Sequence, residues 1–171
     1  MSTLRVNTIQ DLAGQEKFDI VLGTTVTLTT QTAVDFTGIP SWANRVTMLF
    51  AGVSTNGTAN LLIQLGDSGG IETTGYLVSG SVQTNVVETG NYTNGFGIRS
   101  GQAVNVIHGS LVIEKQTGNT WVARGVLATS NIAAIFLTAG SKTLSDALDR
   151  VRLTTAGTDQ FDAGTVNISW E

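Results

Sequence analysis

Apolar and polar residues alternate in short segments along most of this chain. In residues 45–53, RVTMLFAGV, the side chains of Val46, Met48 and Phe50 fall on one face of an extended backbone. Residues 60–66, NLLIQLG, repeat the pattern, with leucine or isoleucine at every second position. A period of two with branched and aromatic side chains is typical of a half-buried β-strand. Both segments are therefore predicted to be strands.

The segment between these strands, STNGTA at residues 54–59, has the composition of a tight turn. Asn56 and Gly57 tolerate the positive φ angles that short hairpins require, so the sequence predicts an antiparallel hairpin here. Upstream, Pro40 fixes its own φ and favours an extended residue before it, which predicts a corner in the chain. We interpret Trp42 as packing over the end of the fold rather than stacking on a ligand.

Further short strands follow from the same alternation and from turn residues between the segments. Gly109 is expected to interrupt one of them with a bulge. Residues 144–148 fit either a short helix or a turn, and we favour a turn leading into a strand; residues 81–100 are expected to be mainly loop. The additional strands are predicted at residues 24–30, 33–36, 76–78, 96–98, 103–116, 121–129, 132–138, 150–155 and 165–171.

Many short strands in one chain of this length indicate a single all-β domain. The predicted fold is an antiparallel jelly-roll-like β-sandwich with an extended N-terminal arm. The sandwich is assigned to residues 23–171 and the arm to residues 1–22. The arm has too little apolar surface for a core of its own, so we expect it to dock on a neighbouring subunit or another protein. Its candidate docking residues are Leu4, Val6, Ile9 and Leu12.

Composition narrows the classes of function. Only 13% of the 171 residues are charged and the net charge is −4, so there is no basic footprint for nucleic acid. The chain has no cysteine, which excludes disulfides and thiolate metal sites. We expect neither a signal peptide nor membrane insertion, because no apolar run is long enough. So sparse a charge favours a subunit that buries surface against copies of itself.

Two blocks of sequence resemble a known family. FTGIPSW, GVSTNGT and TTGY occur in order within residues 36–76, and LDRVRLTT and FDAG follow near the end of the chain. Together they resemble a module of tail-fibre and related virion proteins of tailed bacteriophages. The resemblance implies a non-enzymatic structural protein on the surface of the phage particle, commonly trimeric, which assembles with other virion proteins and can attach to host-surface glycans. The alternative is a capsid decoration or cement protein that stabilises the head through its N-terminal arm.

One short string has the appearance of a catalytic motif. Residues 66–70 spell GDSGG, the sequence around the nucleophilic serine of chymotrypsin-like proteases. That mechanism needs a histidine base, which precedes the serine in those enzymes. The single histidine, His108, follows Ser68 in this chain. We therefore interpret GDSGG as a surface turn and predict no catalytic residues.

No metal or cofactor site is predicted. A zinc site needs three or four ligands, and one histidine without cysteine cannot supply them. The loop carboxylates Asp67 with Glu72, and Asp159 with Asp162, could contribute oxygen ligands to calcium, but the spacing of a calcium-binding loop is missing. No glycine-rich phosphate-binding loop occurs either, so no cofactor is expected.

Aromatic residues near Asn- and Thr-rich segments suggest a second kind of site. Aromatic faces beside amide and hydroxyl groups are what a sugar-binding surface requires. The same residues also suit a hydrophobic core or a subunit interface, and we favour that interpretation for each of them. The four candidates are Tyr76, Tyr92, Phe96 and Trp121.

Overall fold

The computed structural model describes residues 20–171, which contain strands, turns and loops but no helix. Every strand pairing in this range is antiparallel, which confirms the predicted all-β class. The strands are β1 (Val21–Leu22), β2 (Val26–Thr27), β3 (Ala33–Thr37), β4 (Arg45–Thr55), β5 (Leu61–Asp67), β6 (Gly70–Ile71), β7 (Tyr76–Gln83), β8 (Val87–Tyr92), β9 (Phe96–Ile98), β10 (Ile107–Thr117), β11 (Thr120–Thr129), β12 (Ile135–Thr143), β13 (Arg150–Thr155) and β14 (Phe161–Trp170).

Two sheets form a β-sandwich. The large sheet has nine strands in the order β1-β14-β4-β10-β11-β12-β7-β8, and β2 also pairs with β14. The small sheet has five strands in the order β3-β13-β5-β6, and β9 pairs with β5. The predicted sandwich is thus confirmed, with its two layers unequal in width.

The core lies between the two sheets and explains the alternation in the sequence. Val46 and Met48 of β4 and Leu111 of β10 are completely buried, and they belong to one hydrophobic cluster with Leu153 of the small sheet. Burying such side chains is the main favourable term in folding. Trp42 packs against this cluster from the corner after Pro40, as predicted.

The predicted hairpin between β4 and β5 is wrong. β4 pairs with β10 and β14 in the large sheet, whereas β5 pairs with β13, β6 and β9 in the small sheet. The segment around Asn56 and Gly57 therefore crosses from one layer to the other. Neither residue has a positive φ, so the backbone does not use the turn geometry that their pairing suggested.

The segment between β13 and β14 also crosses from the small sheet to the large sheet, and it is hydrogen-bonded to the crossing segment around Asn56 and Gly57. Asn56 N donates to the Gln160 carbonyl at 2.9 Å, and Gln160 N donates to Asn56 Oδ1 at 2.9 Å. Ala59 N donates to Asp159 Oδ2 at 2.6 Å. A Cβ at Gly57 would collide with that carboxylate, so close approach is what requires glycine there.

Several local predictions are confirmed. Gly109 has a φ of 135°, and the pairing of β10 with β4 shifts between Ile107 and Gly109, as expected for a bulge. Residues 150–155 form β13, and no helix occurs at residues 144–148.

Other predictions miss part of the structure. β8 was expected to be loop, and β12 begins at Ile135 rather than at residue 132. Residues 24–30 supply only the two-residue strand β2.

The predicted arm lies mostly outside the described residues. Leu4, Val6, Ile9 and Leu12 fall outside residues 20–171, so their docking role stays a prediction. The last two residues of the segment form β1, in which Val21 pairs with Trp170 and Leu22 with Ser169. This end of the segment is therefore an edge strand of the sandwich.

Candidate functional site

Three of the four aromatic candidates for glycan binding lie in the core. Tyr76, Phe96 and Trp121 are 2% exposed or less, so in this chain their rings are closed to a sugar. The Tyr76 ring meets Phe96 edge to face at 5.4 Å, and its hydroxyl donates to the Glu72 carbonyl at 2.9 Å. Tyr92 is partly buried and packs against the same core. For Tyr76, Phe96 and Trp121 the structure agrees with the favoured interpretation, packing in the core, whereas a sugar-binding role for the partly buried Tyr92 stays a prediction.

The GDSGG string forms the turn between β5 and β6. The Asp67 carboxylate accepts hydrogen bonds from Ser145 Oγ at 2.7 Å, Gly69 N at 2.8 Å and Asp146 N at 2.9 Å. The Ser145 hydroxyl and the two backbone amides favour the charged carboxylate and lower the pKa of Asp67. Asp67 thus fastens the loop before β13 to the end of β5.

His108 is not hydrogen-bonded to Ser68. It lies in β10 of the large sheet, where its Nδ1 accepts from Gly52 N at 3.2 Å and its Nε2 is 3.2 Å from Ser130 Oγ. Ser68 lies in the turn of the small sheet. The two residues therefore do not form the nucleophile and base pair that a serine hydrolase needs.

A charged pair, Glu72 with Lys142, is enclosed next to this turn. The Lys142 side chain is 5% exposed and donates to Glu72 Oε2, while Ser145 N donates to Glu72 Oε1 at 2.7 Å. The Lys142 ammonium also lies 5.5 Å from the centre of the Tyr76 ring. Burial alone would raise the pKa of Glu72, but the Lys142 ammonium and the Ser145 amide outweigh it and hold that pKa below its ordinary value.

The carboxylate pairs considered for calcium have other partners. Glu72 is paired with Lys142, and Asp159 accepts the backbone N–H of Ala59. Within residues 20–171 no group of three or more histidine, aspartate or glutamate side chains is arranged to hold a metal ion.

The most distinctive surface of the described chain is the outer face of the large sheet. Its apolar side chains come from β7, β11 and β12, and we call them the outer patch: Leu77, Val122, Val126, Ile135 and Leu137. Leu77 is 76% exposed and Val126 is 64% exposed. In the sheet register Val126 lies opposite Leu137, and Ser141 lies between Val122 and Leu77. The row formed by Arg124, Ala139 and Ser79 lies between these two groups.

This area is concave and nearly free of charge. Among the outward-facing side chains of β7, β11 and β12 only Arg124 is charged. Small residues, including Ser79, Ser81 and Ala139, line a shallow depression of about 640 Å³ around Val126 and Leu137. Exposed apolar side chains grouped on one sheet face are a candidate surface for contact with another molecule.

The sequence contains an indication of this exposed apolar surface that the strand predictions did not use. Residues 132–138, IAAIFLT, are apolar at nearly every position, so both faces of a strand formed here carry apolar side chains. The structure buries Phe136 on the inner face and exposes Ile135 and Leu137 on the outer face. A strand with two apolar faces and only one covering layer predicts an unpartnered surface.

No protein-family profile matches this chain, and no curated protein is similar to it at a significant level. In the range 20–171 there is also no helix of the length and apolar character needed to span a bilayer. The sandwich and its outer patch therefore have to be interpreted on their own chemistry.

Proposed function

We propose that this protein is a non-enzymatic structural subunit on the surface of a bacteriophage particle, of the tail-fibre type. The sequence blocks at residues 36–76 and 148–164 support this proposal through their resemblance to virion appendage modules. The observation that carries the proposal is the outer patch, because a virion appendage must associate with copies of itself. In the proposed assembly the outer patch lies between three copies of the chain, and residues 1–22 dock on other virion proteins.

Association between identical copies suits the outer patch for a physical reason. A face without strong charge meets its own copy without like-charge repulsion. Full burial of an exposed Val or Leu side chain gives about 1.5–3 kcal/mol, and Val126, 64% exposed, and Leu137, 37% exposed, can gain only those fractions of it on association. Arg124 lies beside Glu114, which accepts from Arg124 Nη1 within the same chain. The charge of Arg124 is thus already compensated before association.

The first test measures the oligomeric state. Size-exclusion chromatography with light scattering at micromolar concentration should give the mass of a trimer for the full chain. Leu137→Glu places a carboxylate in the patch, which is costly to bury unpaired, and should give a folded monomer. Thr37→Glu is the matched control, because it adds the same charge to an exposed position of the small sheet and should leave the trimer intact. A monomeric wild-type protein, or a trimeric Leu137→Glu variant, would contradict the proposal.

The second test locates the protein on the particle. Antibody labelling in electron micrographs should mark the tail or its appendages, whereas uniform labelling of the head would support a decoration protein instead. Deleting residues 1–19 should abolish attachment to the particle and leave the trimer unchanged, since the outer patch is untouched. Attachment without these residues would refute the docking role of Leu4, Val6, Ile9 and Leu12.

A further inference from the structure

The tripeptide Thr-Asn-Gly occurs twice in this chain, at residues 55–57 and at residues 93–95. An Asn-Gly pair carries a reaction of its own, in which the backbone nitrogen of the glycine attacks the side-chain carbonyl carbon of the asparagine. Glycine permits this attack because it has no Cβ to hinder the approach. The first copy lies in the segment that crosses from β4 to β5, and the second lies in the turn that joins β8 to β9. The local sequences match, so any difference in reactivity comes from the fold.

The fold restrains the first pair, Asn56-Gly57. Asn56 Oδ1 accepts from Gln160 N at 2.9 Å, and Asn56 N donates to the Gln160 carbonyl at 2.9 Å. These two bonds oppose the rotation that brings Cγ of Asn56 to Gly57 N. The Asp159 carboxylate lies against Gly57, where a Cβ would otherwise stand. Its negative charge disfavours the loss of a proton from Gly57 N, because that step creates a second negative charge close by.

The second pair, Asn94-Gly95, has the opposite surroundings. Asn94 is exposed, and no hydrogen bond between residues 20–171 engages its side-chain amide. Gly95 N donates to no backbone carbonyl in the same range. The main-chain carbonyl of Asn94 accepts a hydrogen bond from Nε2 of the buried Gln64 at 2.7 Å. When Gly95 N loses its proton, the negative charge is delocalised onto that carbonyl oxygen, so the Gln64 donor stabilises it as an oxyanion hole would.

Packing favours glycine at position 95. A Cβ there would stand 3.1 Å from the Ile63 carbonyl oxygen and 3.2 Å from Leu62 Cβ, both in β5. β8 belongs to the large sheet and β9 to the small sheet, so the pair is part of a connection between the two layers. The nucleophile belongs to the chain itself, and the reaction needs only hydroxide and water, which reach the pair from the exposed Asn94 side.

We propose that Asn94 undergoes spontaneous deamidation in the folded protein, assisted by Gln64, and that the fold suppresses the same reaction at Asn56. Hydroxide takes the proton of Gly95 N, and this nitrogen then bonds to Cγ of Asn94. The bond between Cγ and Nδ2 breaks, the leaving nitrogen takes a proton from water and departs as ammonia, and a succinimide ring remains. Water opens the ring at either of its two carbonyls, which gives aspartate or isoaspartate at position 94.

The products change the connection between the sheets. Isoaspartate routes the main chain through the former side chain, which adds a methylene between β8 and β9 and turns the carbonyl bound by Gln64 into a free carboxylate. Either product places a negative charge next to Thr93, which lines a depression together with Leu77 of the outer patch. The reaction is a property of the folded chain and does not require the trimer, so it is tested independently of the proposed function.

The test follows the purified full-length protein during incubation in mildly alkaline buffer. Peptide mapping by mass spectrometry measures the conversion of amide to acid at Asn56 and Asn94 separately. In the folded protein Asn94 should convert about tenfold faster than Asn56 or more, because hydrogen bonding and charge act on the two barriers in opposite directions. The matched control is the same chain in concentrated urea, where both pairs lose their native neighbours and the two rates should agree within about twofold.

Gln64→Met tests the assisting hydrogen bond. Methionine keeps the length of the side chain and removes the donor, so conversion of Asn94 should slow about threefold or more while that of Asn56 is unchanged. A glutamine that only held the turn in place would give the opposite result, because its loss would loosen the turn and speed the reaction. Thermal melting verifies that the variant is folded.

Three results would overturn the inference. The first is an equal or faster conversion of Asn56 in the folded protein. The second is no conversion of Asn94 in the folded protein under conditions in which the urea-unfolded chain reacts at both positions. The third is a folded Gln64→Met variant whose Asn94 converts as fast as in the wild type or faster.

Discussion

Replacing Lys142 with methionine removes a buried cation and leaves the carboxylate of Glu72 without its ion-pair partner. Methionine keeps the length and apolar stem of the side chain, so the packing against Tyr76 is largely retained. Glu72 then keeps the hydrogen bond from the Ser145 amide but loses the cation that neutralises it. Breaking a buried ion pair by removing one partner costs about 3–5 kcal/mol.

The structure places this substitution at the low end of that range. The Lys142 side chain is 5% exposed but that of Glu72 is 23% exposed, so water stabilises part of the remaining charge. We expect a loss of about 3 kcal/mol in the free energy of unfolding. For a chain of this size the melting temperature should fall by about 6–12 °C.

Lys115→Met is the matched control. The Lys115 ammonium also lies over an aromatic ring, 5.9 Å from the centre of Trp121, but the side chain is half-buried at the surface. Losing an exposed cation–π contact should cost about 0.5–1 kcal/mol. Both variants are compared with the wild type by urea denaturation at one protein concentration, because self-association shifts the apparent stability.

The pH dependence gives an independent check. The native pKa of Glu72 is lowered, so its ion pair contributes stability above the unfolded pKa and loses it as the pH falls through the folded pKa. The deficit of Lys142→Met should therefore be full at pH 7 and shrink below about pH 4. Equal deficits for the two methionine variants, or a Lys142→Met deficit that is independent of pH, would refute the reasoning.

Two further substitutions test close approaches between strands and between crossovers. A Cβ at Gly140 would stand 2.7 Å from Val78 Cα, so Gly140→Ala should cost about 1–3 kcal/mol. At Gly90 the nearest atom to a Cβ is the flexible end of Arg99, at 3.3 Å, and Tyr92 is at ordinary contact distance, so Gly90→Ala should be tolerated. Equal melting temperatures of the two variants would contradict this. Asp159→Ala leaves Ala59 N without its acceptor, so urea denaturation should show a loss of about 1–3 kcal/mol in the free energy of unfolding. The control, Asp162→Ala at an exposed position, should lose about 0.5 kcal/mol or less. Equal losses for the two variants would show that the hydrogen bond between Asp159 and Ala59 is not the cause.

Strand positions could be predicted from the sequence wherever one face is buried. The alternation in β4, β10 and β11 follows directly from an inner face in the core, so the pattern located them. β8, with the sequence VETGNY, lies at the edge of the large sheet and is largely exposed. An edge strand held by backbone pairing needs no apolar face, so its sequence carries no alternation.

Local sequence patterns could not predict which strands pair with each other. Asn56 and Gly57 have the composition of a tight turn, but the partner of β5 is β13, far along the chain. Turn chemistry describes only the backbone near the turn and says nothing about the layer that the next strand joins. The core role favoured for Tyr76 and Trp121 agrees with their burial, but the sequence pattern alone does not separate a core from a binding surface, because an aromatic residue near polar segments has the same signature in both.

The position of β14 has a consequence for how a new chain is made. This strand lies between β4 and both short N-terminal strands, and β1 and β2 pair with no other strand among the described residues. Residues 161–170 follow all the other described strands along the chain, so β1 and β2 have no partner strand until β14 has been synthesised. Synthesis of β14 thus sets the moment at which β1 and β2 join the large sheet. A chain that stops before β14 would leave one edge of β4 unpaired, and an unpaired strand edge promotes aggregation.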